Sequence, residues 1–201
     1  GRLPVNWSAF DLSSFSLQKS LWDYQQQALQ YALRALWKYY GQPELSDEQR
    51  KQAFYQWYRD DGLEQDLDIP LDGSSAAKRR IAALLQAYYP TEDGRIPYQH
   101  FINRMAFWMA TGSGKTLVIV KLIELLHELM QRGEIPQREI LVLAHRDDLL
   151  EQLRKHVDEF NFGGGLYLRL HELREYSQAR HAQPGLFSQQ ERLVFYYRSD
   201  N

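Results

Sequence analysis

Residues Met109-Ala110-Thr111-Gly112-Ser113-Gly114-Lys115-Thr116 bring together the groups that hold a phosphate. Gly112 and Gly114 let the backbone turn so that its N–H groups converge on an anion. Lys115 supplies a point charge for β- and γ-phosphates, and the Thr116 hydroxyl a ligand for Mg²⁺. The apolar run before them, Met105 to Ala110, predicts a buried strand over Ala106–Ala110. A helix is predicted from Gly114 to Arg132, stopping before Gly133, so its N-terminal dipole also faces the anion. Strand, loop and helix form the frame of a P-loop. Nucleotide contacts are expected from Ala110, Thr111, Gly112, Ser113, Gly114, Lys115 and Thr116. Lys115 and Thr116 are the catalytic candidates, with Thr116 holding Mg²⁺ through the nucleotide. The strict pattern G-x-x-x-x-G-K-[ST] asks for glycine where this chain has Met109.

Two flanking segments add chemistry. Upstream, Tyr24-Gln25 stands at a helix start within Leu21-Trp22-Asp23-Tyr24-Gln25-Gln26-Gln27-Ala28. A glutamine amide offers a donor and an acceptor that match adenine N6 and N7. Taken alone, the segment fits an ordinary amphipathic helix start better. Downstream, Ile140 to Ala144 reads as a strand running into His145-Arg146-Asp147-Asp148. Ligands of open parallel sheets bind beyond the carboxyl ends of strands. His145 and Arg146 fall there, where a cation beside a helix N-terminus can hold a nucleic-acid phosphate; a solvated turn is the plainer alternative. Asp147-Asp148 is not the acidic metal-holding motif, because His145 and Arg146 separate it from the strand.

The elements that must position these residues are legible in outline. Trp22 to Tyr40 predicts a helix with Leu29, Leu33, Leu36 and Tyr40 on one face. Ser46 with Gln49 forms a capping box that opens a second helix, to about Asp61, with Phe54, Trp57 and Tyr58 inward. Asp60 to Ser75 reads as a loop, Ala76 to Tyr89 as a third helix with Ile81, Leu84, Leu85 and Tyr88 at helical spacing, and Pro90 to Pro97 as a linker. Then strands and helices alternate: Ile140–Ala144, a helix over Asp148–Phe160 with Leu149, Leu150, Leu153 and Val157 inward, a break at Gly163-Gly164-Gly165, and strands over Leu166–Leu170 and Leu193–Tyr197. That alternation implies α/β architecture with a parallel sheet. Lys78-Arg79-Arg80 is a basic run that fits a solvated helix face better than a nucleic-acid contact.

Bulk properties set limits. The chain has 201 residues, 44% hydrophobic and 13% aromatic, which excludes disorder by composition. A formal net charge of −2 gives no global pull on nucleic acid, so any such contact is local. No cysteine is present, which excludes disulfides and thiolate zinc sites; the composition fits a reducing compartment and the cytoplasm is the expected location. No apolar run reaches the roughly 18 residues of a membrane span, so no membrane partner is expected. The sequence opens at Gly1 and closes at Asn201 just after an apparent strand, and the expectation is a fragment.

Tyr24-Gln25, MATGSGKT and LVLAHRDDLLEQ, in that order, resemble the Q-type motif, motif I and motif Ia of superfamily-2 DEAD/DEAH-box helicases. The closest likeness is to the type III restriction enzyme Res subunits and the type I restriction motor subunits, which often carry Met where Met109 stands. The likeness covers about residues 20–30 and 98–160, and Phe195 to Asn201 looks like what precedes the DEAH strand. It implies a P-loop NTPase with an incomplete RecA-like parallel sheet and helices on both faces, preceded by a mostly helical N-terminal region. The division it implies is a lead-in at 1–18, a Q-motif-type helix at 19–40, a helical insertion at 41–97 and the first half of motor domain 1 at 98–201. It further implies ATP and Mg²⁺ as cofactors, Tyr24 and Gln25 at the adenine, and His145 and Arg146 on the backbone of duplex DNA. A methyltransferase or nuclease subunit is an expected partner. The full-length parent would be an ATP-dependent helicase or translocase of a restriction or phage-defence system, and this piece alone inactive in hydrolysis. Two departures stand out: the gap from Gln25 to Lys115 is long for the group, and no acidic Walker B motif is present. The alternatives are another P-loop phosphotransferase and a non-catalytic interaction module.

Overall fold

The structure is a computed structural model; it describes residues 3–61, 67–163, 166–181 and 191–198. Gly164 and Gly165 of the expected break, residues 62–66 of the expected loop, and Ser199 to Asn201 lie outside the described residues. The chain forms two compact units, residues 1–34 with 107–201 and residues 35–106.

The first unit holds the sheet. β5 (Leu141–Ala144), β6 (Tyr167–Glu172) and β7 (Glu191–Arg198) make a three-stranded parallel sheet in the order β5-β7-β6. The register places Leu141 beside Phe195 and Leu170 beside Val194. β7 is central, and its Val194 and Phe195 are both buried although they point to opposite faces, as a strand covered on both sides requires. The ring of Tyr176, in the short helix α7 (Tyr176–His181), lies 4.9 Å from that of Phe195. α6 (Asp147–Asn161) buries Leu150, Leu153, Val157 and Phe160 at helical spacing. Leu149, expected inward, is exposed: it stands at the edge of the stripe that the other four define, in the first turn of the helix.

α5 (Lys115–Gln131) is apolar almost all round and packs against α6. It ends at Gly133, which adopts φ +74°, and Glu134 N–H donates to the Leu129 carbonyl at 2.9 Å to close the helix. Before α2 (Asp23–Tyr40), the lead-in forms a short helix α1 (Val5–Ser8) and a hairpin of β1 (Ser14–Ser16) and β2 (Lys19–Ser20). Trp7 is buried and its indole donates to Glu134 at 2.7 Å, while Lys19 pairs with Glu159 at 2.7 Å. Sequence periodicity gave no sign of this order, because single long-range contacts anchor it.

The second unit is built on aromatic packing. α3 (Asp47–Asp60) opens with the expected box: Ser46 Oγ accepts from Gln49 N–H at 3.3 Å and the Gln49 side chain accepts from Ser46 N–H at 2.8 Å. Phe54 is buried, with Trp57 stacked on it at 5.8 Å and Tyr58 edge-on at 5.1 Å. β3 (Ile69–Pro70) pairs antiparallel with β4 (Arg95–Ile96), and between them α4 (Ala76–Tyr88) starts at the N-cap Ser75.

A second expectation fails. Ala106–Ala110 is not a strand: it joins no ladder, and Trp108 is 95% exposed. The apolar run straddles the boundary between the two units at Ala106 and Phe107. An apolar run signals burial but does not choose a strand partner, and the segment pairs with neither β5 nor β6, whose outer edges stay unpaired among the described residues.

His127, in α5, is buried and its Nε2 has no hydrogen-bond partner among the described residues. Burial, reinforced by the nearby Arg192 cation, pushes its pKa down from 6.5 to about 4. The unfolded chain therefore takes up a proton that the folded chain refuses. The stability due to neutral His127 is complete above pH 6.5 and is lost as pH falls toward 4. Glu124, raised by burial, acts in the opposite direction at the acidic end. We predict that His127→Gln flattens the pH dependence of the urea midpoint between pH 6.5 and 4. Parallel curves for the two proteins would refute this.

Candidate functional site

The P-loop lies in the first unit and turns on its glycines. Gly112 and Gly114 adopt φ +78° and +74°, the left-handed region that glycine alone enters without cost. Met109 has a negative φ, since Asp93 is the sole non-glycine with positive φ among the described residues. Backbone geometry therefore does not demand glycine at 109, which explains how this chain departs from the strict pattern.

Gly114 is also the N-cap of α5. Among the described residues, the N–H groups of Thr111, Gly112, Gly114, Lys115 and Thr116 donate to no protein acceptor, whereas Ser113 N–H reaches the Ala110 carbonyl at 3.2 Å. The Ser113 hydroxyl is buried without a partner among the described residues. Five open donors and one orphaned hydroxyl in a solvent-facing turn match an oxyanion with several acceptor oxygens. Lys115 meanwhile points its ammonium back at the loop, donating to the carbonyls of Met109 at 2.8 Å and Ala110 at 2.7 Å. It neutralises the carbonyl ends of the turn. Thr116 lies beside it in the first turn of α5.

Gln25 is 1% exposed, and its amide is engaged at both ends. Its Oε1 accepts from Trp22 N–H at 2.9 Å and its Nε2 donates to the Ser113 carbonyl at 2.8 Å. The Tyr24 hydroxyl donates to the same carbonyl at 2.9 Å. A Cβ at position 114 would sit 2.6 Å from Gln25 Nε2. The sequence placed Tyr24 and Gln25 near the nucleotide; the structure joins both to the loop itself. The apolar stripe of Leu29, Ala32 and Leu33 seats that face of α2 inward.

His145 and Arg146 follow the carboxyl end of β5 and are exposed. Arg146 is not open to solvent anions alone: its Nε donates to Asp148 Oδ1 at 2.9 Å and its Nη2 meets Asp148 Oδ2, which holds the Asp148 carboxyl below its usual range. Asp147 receives Arg198 at 2.8 Å. Sequence reasoning missed a cluster beside them. A cavity of about 340 Å³ at the carboxyl ends of the strands is lined by Arg154, Glu172, Arg174, Tyr196 and Arg198 among others. Arg154 donates to the Tyr196 hydroxyl at 2.8 Å with its guanidinium 4.8 Å from the ring. Glu172, the one carboxylate that ends a strand among the described residues, pairs with Arg174. Tyr196 and Arg198, two residues apart in β7 and so on one face of the strand, were the available signal.

The family described as type III restriction enzyme, Res subunit, matches residues 18–195. The chain belongs to that family. Res-type proteins are helicase-like P-loop ATPases of restriction systems that generally act on DNA with ATP and Mg²⁺. No curated protein and no solved structure matches the chain. The matched range takes in Tyr24-Gln25, the P-loop and His145-Arg146 of this Res-type chain.

Gly114→Ala and Gly112→Ala separate two demands on the loop. Nothing lies within 4 Å of a Cβ at 112, so that substitution carries backbone strain alone, about 1 kcal/mol. At 114 the strain is joined by the collision with Gln25, and we expect a loss of about 2–3 kcal/mol. Chemical denaturation of both variants decides it; equal losses would show that the Gln25 contact does not constrain the loop.

Proposed function

We propose that this chain carries the ATP-binding part of a DNA translocase or helicase of a restriction or phage-defence system, on a RecA-like frame. The P-loop carries the reading: an αL-turned loop with five unpaired donors, capped by Lys115, in a chain of the Res family. The ammonium of Lys115 leaves the Met109 and Ala110 carbonyls for anionic phosphate oxygens. The N–H groups of Gly112, Gly114, Lys115 and Thr116 donate to the same anion with the α5 dipole behind them, and the Thr116 hydroxyl holds Mg²⁺. Bound Mg·ATP supplies the phosphoryl group whose hydrolysis drives movement on DNA.

Adenine recognition falls to Tyr24 and Gln25. Each amide end of Gln25 already has one bond, so a base engages it by turning the amide out from Trp22 and Ser113. Base reading and loop shape are then coupled through one side chain. Duplex DNA meets His145 and Arg146 through its phosphates, at the cost of the Arg146–Asp148 pair.

Two measurements test the reading. Lys115→Ala should weaken Mg·ATP binding by about 2 kcal/mol or more, from loss of charge-assisted contacts; equal calorimetric affinities would sink the nucleotide assignment. Asp148→Asn releases Arg146 and should tighten binding to duplex DNA severalfold, whereas Arg146→Ala weakens it and lowers the salt slope by about one. Filter binding across a salt series reads both. If Asp148→Asn and Arg146→Ala leave affinity unchanged, the DNA contact lies elsewhere.

A further inference from the structure

α4 is 13 residues long and buries none of them. Helices of that length are marginal in water without a packed face. Yet α4 carries one: Ile81, Leu84 and Tyr88, with Leu85 beside them, fall on a single stripe, and the first three are 57%, 59% and 77% exposed. Its charges are also set against it. The first turn holds no acidic residue and already carries Lys78 and Arg79, with Arg80 next, cations at the positive end of the helix dipole. Arg79 is tied back to the Gly73 carbonyl at 2.9 Å, and Lys78 to Asp72. Arg80 has no partner among the described residues.

Both oddities are resolved by one occupant. We infer that α4 docks antiparallel on α4 of a second copy of this chain. A two-fold axis passing between Leu84 and Leu85 lays the stripe on itself, with Ile81 of each copy against Tyr88 of the other. The same operation brings the basic first turn of each helix to the carbonyl end of its partner. There the negative pole of the dipole is followed by Glu92 and Asp93. Lys78 and Arg80 flank the stripe at about 100° per residue, whereas Arg79 lies behind it. The arrangement is isologous and closes at two. A foreign helix of suitable chemistry would need acid at one end only; here the basic and acidic ends lie on opposite sides of one apolar centre, which is what a self-pairing helix requires.

A helix of this length spans about 20 Å, so the contact falls well short of the roughly 800 Å² per partner of a standard interface. The dimer is therefore weak, and forms at micromolar concentrations or above. Sedimentation equilibrium of the full 201-residue chain, from low-micromolar to sub-millimolar concentration, should show a monomer passing into a dimer. Leu84→Glu should weaken the association about tenfold or more without lowering the thermal midpoint. Lys78→Glu with Arg80→Glu should weaken it as well, and adding Glu92→Lys with Asp93→Lys should restore it. A monomer throughout overturns the proposal, and a Leu84→Glu monomer with reduced thermal stability would show the face covered within its own chain. A dimer indifferent to Leu84→Glu overturns it too, since the interface would lie elsewhere, and a charge swap that fails to restore association overturns the antiparallel pairing.

Discussion

The carbonyl of Ser113 is the point on which the candidate site turns. Two side chains from α2, Tyr24 and Gln25, donate to it, and Gln25 is in turn fixed by Trp22 N–H. A buried amide left unpaired costs about 1–3 kcal/mol, so these bonds are retained once the helix stripe has seated against the core. They hold the loop at Ser113, force position 114 to be glycine, and thereby set where α5 begins. The loop's open donors follow from that start, since the first N–H groups of a helix have no partner within it.

Lys115 completes the arrangement electrostatically. A loop with its N–H groups turned toward one side turns carbonyls toward the other, and an ammonium on those carbonyls stabilises the turn before any anion arrives. The same economy recurs beyond β5, where Asp148 holds Arg146 and Asp147 holds Arg198. In both places the cations suited to an external phosphate are paired internally, so under the proposed function binding would exchange one set of charge-assisted bonds for another rather than create them from solvent.

Short-range signals in the sequence located most of this. The capping box at Ser46, the stop at Gly133, the β5 and β7 strands and three of the four residues expected inward on α6 are local patterns, and each appears within a residue or two of its expected place. What was illegible depends on partners far along the chain. The run before the P-loop has strand composition, but composition names no partner, and the run joins no ladder. The lead-in has no period yet is anchored by Trp7 on Glu134, 127 residues away. The link from Gln25 to Ser113 spans 88 residues, and no spacing rule announces it. Met109 was a departure from a letter pattern, whereas the constraint is a φ angle that methionine satisfies.

The three-stranded sheet has two outer strands, β5 and β6, each paired on one side only among the described residues. β5 presents Leu141 and Leu143 to solvent beside that free row of backbone groups. Such a rim is a template for another extended segment, and nothing on β5 carries the lysine, proline or inward charge with which exposed rims are usually blunted. Its defence is brevity, four residues against the six of β6. The practical consequence is colloidal. At high concentration or during refolding, this rim rather than the loops is where misassembly would nucleate, and a single lysine at position 143 would be the economical remedy.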